Sequence, residues 1–325
     1  MAVLLGSEGG SPFPTMFFQQ SITWACPVVM DVLVYVIGGG GGGAGDTVTD
    51  SSANGGGAGG CAVSRLTLAV QDYTLTIGAG GAGIYTGNAG DGAAGGNTSM
   101  AGTGMTTMTG NGGGAGTNSS NVAVAGGAAS GGTLQNNTGG GSPAQSDVDY
   151  GCSGGGGVGL YGPGQDGVAN TTNEGLASGG SPIGITPQQT GQHTSANTKT
   201  AMGLVGSSKE NGPIGVDIFP GLSRPLGLPV SDLRFWMLSD MKTTGAGVTA
   251  QNVYPLIASS IHCYPAGPFC GGDGYAAAVS QPKYAAGGTA GGGGGGIANR
   301  GVSSYVYGGG GGGGLIIMIP LSMGA

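Results

Sequence analysis

Four groups of apolar residues interrupt a chain that is otherwise rich in glycine, and their patterns predict β-strands. Residues 21–25 (SITWA) are followed, after Pro27, by residues 28–37 (VVMDVLVYVI). Over residues 32–37 both alternating sets of positions are apolar, which is typical of a strand that is covered on both faces. We therefore expect this strand to be buried on both sides.

The second group predicts a pair of strands. Residues 61–70 (CAVSRLTLAV) and residues 73–77 (YTLTI) are separated by Gln71 and Asp72, a two-residue gap with turn character. Two β-rich runs at this separation indicate a hairpin. The apolar and polar positions alternate less strictly in the first run, which suits a strand with one solvated face.

Two further groups lie in the C-terminal part of the chain. Residues 274–279 and 303–307 have the same β-rich composition, and residues 315–321 (LIIMIPL) are apolar and β-branched. Because proline cannot donate a ladder hydrogen bond, we expect this last strand to stop at Pro320. The whole pattern predicts an all-β protein with a β-sandwich-like framework of jelly-roll type.

Glycine runs of unusual density separate the strands. The clearest are residues 38–45, 55–60, 78–83, 112–116, 154–157, 291–296 and 308–314. Such runs are usually flexible linkers, because ordering glycine costs the most backbone entropy. Here Ala, Asn, Thr and Val space the runs, and strands frame them directly. We therefore expect ordered glycine-rich loops of polyproline II character, enclosed by the β framework, whose backbones pack closely and exchange hydrogen bonds.

Composition narrows the class of protein. The 325 residues include 81 glycines, 8 basic and 15 acidic side chains, for a net charge of −7. The glycine runs break the three-residue period of collagen, and the apolar content excludes a charge-driven disordered chain. A pI near 4.4 argues against nucleic-acid binding. No apolar run is long enough to cross a bilayer, and the N-terminus lacks the features of a signal peptide, so we expect cytoplasmic synthesis without membrane insertion.

One region differs from the rest of the chain. Residues 181–270 are rich in proline and hold both histidines, His193 and His262, and most of the basic residues. Within them, residues 231–241 (SDLRFWMLSDM) predict one short helix, with Ser231 as its N-cap. The resulting organisation is an N-terminal arm (1–20), a β framework with glycine-rich loops (21–180), a proline-rich inserted lobe (181–270), and a glycine-rich return with a closing strand (271–325).

No grouping of residues predicts catalysis or a bound cofactor. Neither histidine accompanies a nucleophile-elbow motif, and no glycine run ends in the Lys-Ser/Thr pair of a phosphate-binding loop. Residues 38–45 contain a GxGxxG match, which is expected by chance in so glycine-rich a chain. We therefore predict that the protein is not an enzyme.

Metal binding is only weakly indicated, and we predict no metal site. The cysteines are scattered without a CxxC pair, which favours free buried thiols: Cys26, Cys61, Cys152, Cys263 and Cys270. The closest zinc-like pattern, His262 with Cys263 and Cys270, lacks paired ligands at short spacing. Two pairs of aspartates could offer oxygen atoms to calcium: Asp46 with Asp50, and Asp147 with Asp149. Acidic residues that keep the surface soluble are the simpler interpretation.

Three tyrosines lie within glycine-rich stretches that offer little bulk to bury them: Tyr85, Tyr150 and Tyr161. A flat ring with a hydroxyl on a rigid loop suits contact with a sugar or a protein receptor, because it binds with little loss of entropy. The alternative is that each ring covers the end of the packed glycine segments or a seam between subunits. We take the three tyrosines as candidate receptor contacts.

The order of the motifs along the chain is itself distinctive. Residues 22–27 (ITWACP) precede a β-rich segment that enters a glycine run, over residues 32–43. Residues 60–62 (GCA) and 73–83 (YTLTIGAGGAG) follow, and a glycine run enters an apolar closing strand over residues 308–319. This combination resembles the glycine-rich domain of bacteriophage tail fibres and related adhesin-type virion proteins. The family often has an aromatic residue where this chain has Cys61.

The resemblance implies a virion structural protein of tail-fibre or fibre-tip type. Such a protein is exposed on the particle surface, is made in the host cytoplasm and is released by lysis. It implies contacts with other virion proteins and a contribution to attachment, through a host surface glycan or an outer-membrane protein. The alternative is a purely structural fibre, cap or decoration protein without receptor binding.

Assembly from several copies is a further expectation. Strongly apolar strands leave edges that invite pairing unless neighbouring chains cover them, so we expect a homo-oligomer. The resemblance favours a trimer, because fibre proteins commonly associate in threes.

Overall fold

The computed structural model describes residues 2–5, 15–46, 52–84, 89–118, 122–145, 152–170, 175–177, 179–180, 269, 271–272, 274–277, 283–285, 287–288, 290–299 and 306–323. Over these residues the chain forms strands and extended segments and contains no helix, so the all-β prediction is confirmed. The predicted helix at residues 231–241 lies outside the described residues, as does the inserted lobe apart from Phe269.

The first part of the chain contributes strands β1 (Ala2–Leu5), β2 (Thr15–Phe18), β3 (Ile22–Ala25), β4 (Met30–Ile37), β5 (Gly45–Asp46), β6 (Cys61–Leu68), β7 (Asp72–Thr76), β8 (Thr98–Ala101), β9 (Met108–Gly110), β10 (Ala129–Ser130) and β11 (Gln135–Asn137). The remainder contributes β12 (Cys152–Ser153), β13 (Ala169–Asn170), β14 (Gly175–Ala177), β15 (Gly274–Ala277), β16 (Lys283–Tyr284), β17 (Ile297–Asn299), β18 (Val306–Tyr307) and β19 (Leu315–Met323).

Two antiparallel sheets pack face to face and form the framework. The six-stranded sheet has the order β1-β2-β19-β4-β6-β11, and the five-stranded sheet has the order β10-β9-β8-β7-β3. Their shared core includes Val34 and Val36 from β4, Leu75 from β7, and Met100 and Met108 from β8 and β9. The sandwich-like arrangement therefore follows from alternating apolar positions on strands of both sheets.

Strand β4 is buried on both sides, as its continuous apolar pattern predicts. It lies between β19 and β6 within the six-stranded sheet. Val34 and Val36 face the five-stranded sheet, whereas Tyr35 and Ile37 belong to a second apolar cluster on the opposite face. Phe269 and Leu160 cover that second cluster.

The predicted hairpin of residues 61–77 is wrong. β6 pairs with β4 and β11 in the six-stranded sheet, whereas β7 pairs with β3 and β8 in the five-stranded sheet. The residues between them form a corner that crosses from one sheet to the other. The Tyr73 hydroxyl accepts a hydrogen bond from the Ala69 N–H at 3.0 Å and donates one to the Ala69 carbonyl at 3.3 Å. The Cys26 N–H donates to the Gln71 carbonyl and ties β3 to the same corner.

The last strand continues past Pro320, contrary to the expected stop. Pro320 pairs with Val32, and the register then shifts before Ser322 pairs with Asp31. On the other side of β19, β2 pairs only as far as Met318. Proline is tolerated at such irregular positions, because the ladder there does not require its missing N–H.

The glycine runs are ordered segments whose hydrogen bonds repeat every three residues. The N–H groups of residues 38–45 donate to carbonyls of three returning segments. Gly38, Gly41 and Ala44 donate to Gly60, Gly57 and Asn54 of the first segment, and Gly39, Gly42 and Gly45 donate to Gly96, Ala93 and Gly90 of the second. Gly40 and Gly43 donate to Gly312 and Gly309 of the third, so residues three apart in the run bond to the same neighbouring segment. Three residues per turn is the repeat of polyproline II, so the predicted polyproline II character is confirmed.

The same run accepts hydrogen bonds from three further segments that run parallel to it. Gly81 and Ile84 of the first segment donate to Gly40 and Gly43, and Gly113 and Gly116 of the second donate to Gly39 and Gly42. Gly294 and Ile297 of the third donate to Gly41 and Ala44. Residues 38–45 therefore have six neighbours, and the segments form a closely packed array. We call this array the glycine bundle; it consists of the described residues of 38–46, 52–60, 78–84, 90–97, 111–118, 122–128, 138–145, 152–159, 164–170, 175–180, 271–277, 283–288, 291–299 and 306–314.

Close packing of backbones explains why these segments are made of glycine. A Cβ atom on Gly41 or Gly43 would lie less than 3.0 Å from the backbone of a neighbouring segment, nearer than real Cβ atoms come. Alanine enters the bundle where a segment faces either side chains or solvent. Ala58 belongs to the apolar cluster that contains Tyr35 and Ile37, whereas Ala93 and Ala125 are exposed.

Three glycine excursions are long connections between adjacent antiparallel strands, β4 with β6, β7 with β8 and β9 with β10. β4 leads into residues 38–60 and returns as β6, and β7 leads into residues 78–97 and returns as β8. At ~3.1 Å per residue, Gly45 lies about 25 Å beyond Ile37. We call the end of the glycine bundle that is remote from the two large sheets the far end, and the opposite end the near end.

Candidate functional site

Outward segments of the glycine bundle end, and returning segments begin, at the far end. The connections between them are residues 47–51, 85–88, 119–121, 146–151, 171–174, 278–282 and 300–305, which lie outside the described residues. Only the described residues on either side of each connection are located by the structure. Ile84 donates to the Gly43 carbonyl, and Gly90 pairs with Gly45, so the connection 85–88 begins and ends at the far end.

Two of the candidate receptor contacts belong to these connections. Tyr85 follows Ile84 directly, and Tyr150 comes two residues before Cys152, which pairs with Ala53 at the far end. Both tyrosines lie outside the described residues. The described framework therefore brings the chain on either side of them to the same end of the molecule.

The third candidate, Tyr161, lies at the near end. It follows Val158 and Leu160, which are buried in the apolar cluster on the outer face of the six-stranded sheet. The Tyr161 side chain is 43% exposed. The structure thus separates Tyr161 from the far-end connections by the length of the glycine bundle, a separation that glycine-rich surroundings in the sequence cannot reveal.

Small sheets close the far end beneath the connections. One has the order β14-β15-β17-β5, and two pairs, β12 with β13 and β16 with β18, accompany it. Ala44, Ala53, Cys152, Ala177 and Ala298 form a small apolar cluster inside this closure. The short strands form at the ends of the polyproline II segments. There the sequence again contains residues with side chains, and the segments pair as ordinary β-strands.

Buried polar side chains link the segments just inside the far end. The Asn54 side-chain nitrogen donates to Thr117 Oγ1 at 3.2 Å and to the Val122 carbonyl at 2.5 Å. The Ser153 hydroxyl accepts from the Gly55 N–H at 3.1 Å and is hydrogen-bonded to the hydroxyl of Ser142. These contacts join segments that are far apart in sequence, and each belongs to a residue that is inconspicuous in the sequence pattern.

Three buried oxygen atoms at this end accept no hydrogen bond from the described residues: Ser52 Oγ, Asn54 Oδ1 and Gln145 Oε1. Buried acceptors of this kind are commonly satisfied by ordered water. The far end therefore combines a packed closure with a polar interior.

The described residues contain no group of three or more His, Cys, Asp or Glu side chains that could hold a metal ion. Asp46 is buried at the far end. Six residues of the weak metal patterns lie outside the described part of the chain, as does His193: Asp50, Asp147, Asp149, His262, Cys263 and Cys270.

Cys26 and Cys61 are free and buried, which confirms the thiol prediction for these two residues, and Cys152 is also buried. Burial raises the pKa of the Cys61 thiol to about 12. Burial also raises the pKa of Cys26, an effect that a hydrogen bond to the Val28 carbonyl partly opposes. Because the thiolate is the reactive form, these thiols are chemically quiet at neutral pH.

Sequence reasoning missed two side chains that accept hydrogen bonds from backbone N–H groups of residues 111–118. Asn97 Oδ1 accepts a hydrogen bond from the Gly112 N–H at 2.9 Å, and Asp91 Oδ1 accepts one from the Asn118 N–H at 2.7 Å. The signal that could have revealed them is their spacing. Both belong to a glycine run, and they are six residues apart, which is two turns of polyproline II.

Residues 17–320 match the sequence model of a protein family that is described as a glycine-rich domain. No curated protein matches the chain. The described residues include no helix that is long and apolar enough to cross a membrane.

Proposed function

The chain belongs to the family of glycine-rich domains, and from this premise we propose that it is a bacteriophage virion structural protein of tail-fibre or fibre-tip type that contributes to host-surface attachment. The proposal is supported by the order of motifs, which resembles that of phage fibre adhesins. It places the protein on the exposed surface of the virion, in contact with other virion proteins, after synthesis in the host cytoplasm and release by lysis.

The observation that carries the proposal is that the described residues on either side of these connections meet at the far end. Recognition residues commonly lie on loops that a rigid scaffold positions, because loops tolerate sequence change and the scaffold limits the entropy lost on binding. In this protein the scaffold is a bundle whose backbone hydrogen bonds are made between its own segments. The far end is therefore the surface that we assign to the receptor.

The chemistry of the receptor follows from the residues available in the connections. Tyr85 and Tyr150 each offer a flat apolar ring and a hydroxyl, which suit stacking on a sugar and hydrogen bonding to it. The same groups suit an extracellular loop of an outer-membrane protein. With only 23 charged residues in the chain, recognition would depend on ring contacts and neutral hydrogen bonds more than on ion pairs.

Adsorption of the purified full-length protein to host cells tests the proposal. We expect binding that saturates, and we expect Tyr85→Ala with Tyr150→Ala to weaken it strongly. Tyr161→Ala is the matched control, because it removes the same side chain at the near end. If Tyr161→Ala alone abolished binding, the receptor surface would lie at the near end. If the wild-type protein failed to bind host cells, the attachment role would be wrong.

A purely structural fibre, cap or decoration protein is the alternative, and particles without this protein distinguish the two functions. Attachment predicts that such particles adsorb poorly. A structural role predicts normal adsorption with particles that break more easily.

The proposed assembly is a homo-oligomer, with a trimer favoured by the resemblance to fibre proteins. Sedimentation of the purified protein at micromolar concentration measures the number of copies directly. A monomer under these conditions would contradict this part of the proposal.

A further inference from the structure

The glycine bundle has an open side at residues 111–118. This segment donates to residues 125 and 128 on one side and to residues 39 and 42 on another. It accepts from residues 54, 57 and 60 and from residues 92 and 95. Among the described residues it therefore has four neighbouring segments, whereas residues 38–45 have six.

On the open side, every third N–H group lacks a backbone acceptor among the described residues. This spacing is the same three-residue repeat as that of the hydrogen bonds inside the bundle. The N–H groups of Gly112, Ala115 and Asn118 donate to no backbone carbonyl of the described residues. In the interior of the bundle, N–H groups in such a row donate to the carbonyls of one further segment. Such a row is comparable to the edge strand of a sheet, where unpaired backbone groups form a template for another chain.

Side chains of the adjacent segment cover two of the three N–H groups. Asn97 Oδ1 accepts from Gly112 at 2.9 Å, and Asp91 Oδ1 accepts from Asn118 at 2.7 Å. Residues 92 and 95 of the same segment pair with residues 116 and 113, so the two side chains are held in register with the row that they cover. Ala94 lies midway between them, opposite Ala115, and its methyl group offers no acceptor.

We propose that residues 111–118 form a latent pairing edge, and that Asp91 and Asn97 close this edge to the glycine bundle of a second copy of the chain. The two side-chain oxygens replace the carbonyls that a further segment would supply. Their side chains also stand over the row, where the incoming backbone would have to lie. The occupant is a second copy because close approach needs a backbone without side chains, which the glycine segments of this chain provide.

The inference is independent of the proposed function and limits the surfaces that assembly can use. If the protein is a homo-oligomer, the copies associate through surfaces other than residues 111–118. The caps act as charged and polar residues do on edge strands, which they protect from edge-to-edge association.

The test removes the caps in the full-length protein and measures both exchange and mass. In the double variant Asp91→Ala with Asn97→Ala, we expect loss of hydrogen-exchange protection at Gly112 and Asn118 at low concentration. At higher concentration we expect the sedimenting mass to reach at least twice that of the wild-type assembly. Two single variants are controls. Asp91→Asn keeps the acceptor oxygen, and Asp72→Ala removes one exposed charge elsewhere; we expect both variants to keep the sedimenting mass of the wild-type protein.

The reciprocal variant adds a cap where the row is open. Ala94→Asn places a carboxamide opposite Ala115, and we expect it to protect the Ala115 N–H from exchange without changing the mass. It provides a test even if the double variant does not fold. The proposal is overturned if the double variant loses protection but keeps the wild-type mass at all concentrations. It is also overturned if Asp91→Asn associates as the double variant does, or if Ala94→Asn leaves Ala115 unprotected.

Discussion

At the scale of single residues, glycine in the bundle is required by contact with neighbouring backbones, and residues 308–314 provide a direct comparison. A Cβ on Gly311 would lie less than 3.0 Å from the backbone of Gly40, whereas a Cβ on Gly313 would meet nothing within 4 Å. We expect Gly311→Ala to lower the free energy of unfolding by about 1–3 kcal/mol, the usual cost of overpacking. We expect Gly313→Ala to change it by no more than about 0.5 kcal/mol.

Denaturant unfolding of both variants, followed by circular dichroism, measures this difference. Because the two glycines lie in one run, they share the same chain entropy and the same local sequence. Equal losses of stability in the two variants would mean that the run responds to any side chain, and the contact argument would fail.

The buried thiol of Cys61 makes stability depend on alkaline pH. Its pKa is raised from 9.0 to about 12 by burial, so the folded protein keeps a proton that the unfolded chain loses between these values. The free energy of unfolding therefore falls as the pH rises through this range, by up to about 1.4 kcal/mol per pH unit for one group.

Comparing Cys61→Ala with wild type tests this contribution. The pKa of Tyr35 is raised from 10.0 to about 12 by burial and, to a smaller extent, by the charge on Cys61, so the variant removes the Cys61 ionisation together with its effect on Tyr35. We expect the variant to lose less stability than wild type between pH 9 and pH 11, as measured by denaturant unfolding at each pH. Parallel pH profiles for the two proteins would show that the Cys61 thiol ionises equally in both states.

At the scale of elements, the corner between β6 and β7 decides which sheet each strand joins. The Tyr73 hydroxyl makes two hydrogen bonds to Ala69 there. We expect Tyr73→Phe to lower the free energy of unfolding by about 0.5–1.5 kcal/mol, the net contribution of such bonds where water can replace them. Thermal or denaturant unfolding measures the loss.

Tyr35→Phe is the matched control for the corner. Tyr35 is also buried on a strand of the six-stranded sheet, and its hydroxyl has no hydrogen bond to the described residues. We expect this variant to stay within about 0.5 kcal/mol of wild type. A Tyr35→Phe loss as large as that of Tyr73→Phe would indicate that removal of any tyrosine hydroxyl is costly and that the corner is not special.

The sequence pattern predicted strands well and their partners poorly, and β6 and β7 show why. Alternation of side chains depends on burial, which each strand experiences separately, so residues 32–37 and 73–77 are recognisable alone. Pairing depends on where the chain turns. A three-residue link is compatible with a hairpin and with a sandwich corner, and the difference lies in tertiary pairing, since β6 pairs with β4 whereas β7 pairs with β3.

The glycine bundle was predictable in character and unpredictable in arrangement for a related reason. Strands that frame the runs indicate order, and glycine indicates close approach of backbones. Nothing in the run at residues 38–45 identifies its six neighbours, because glycine has no side chain that could specify a partner. The pairing is imposed by the adjacent strands, such as β4 and β6, which set the register of the segments that follow them.

At the scale of the whole molecule, the protein has two different ends. The sandwich gathers the large apolar side chains, and the described residues that flank the connections between glycine segments lie at the far end. Tyr161 lies at the near end, whereas Ile84 and Cys152, which precede Tyr85 and follow Tyr150 in the sequence, lie at the far end. Function at one end can therefore be changed with little effect on the core at the other, provided that the bundle between them keeps its hydrogen bonds.

The point where the inserted lobe joins the framework leads to the last prediction. Gly180 precedes the lobe, and its carbonyl accepts a hydrogen bond from the Gly271 N–H at 2.9 Å. The Phe269 carbonyl accepts from Val158, so the returning chain is held beside the departing one. A linker of four residues, which spans at most about 14 Å, should therefore replace residues 181–268 without moving either segment.

We expect the shortened protein to fold with one cooperative unfolding transition and to retain the protection of bundle amides such as Gly155 and Gly271 from hydrogen exchange. The physical reason is that the described hydrogen bonds on both sides of the junction are made within the framework and need no residue between 181 and 268. A matched control deletes residues 139–157 with the same linker, which removes part of the bundle itself and should abolish cooperative unfolding. If the shortened protein lost protection at Gly155 and Gly271 while the full chain kept it, the lobe would be part of the fold and the framework could not stand without it.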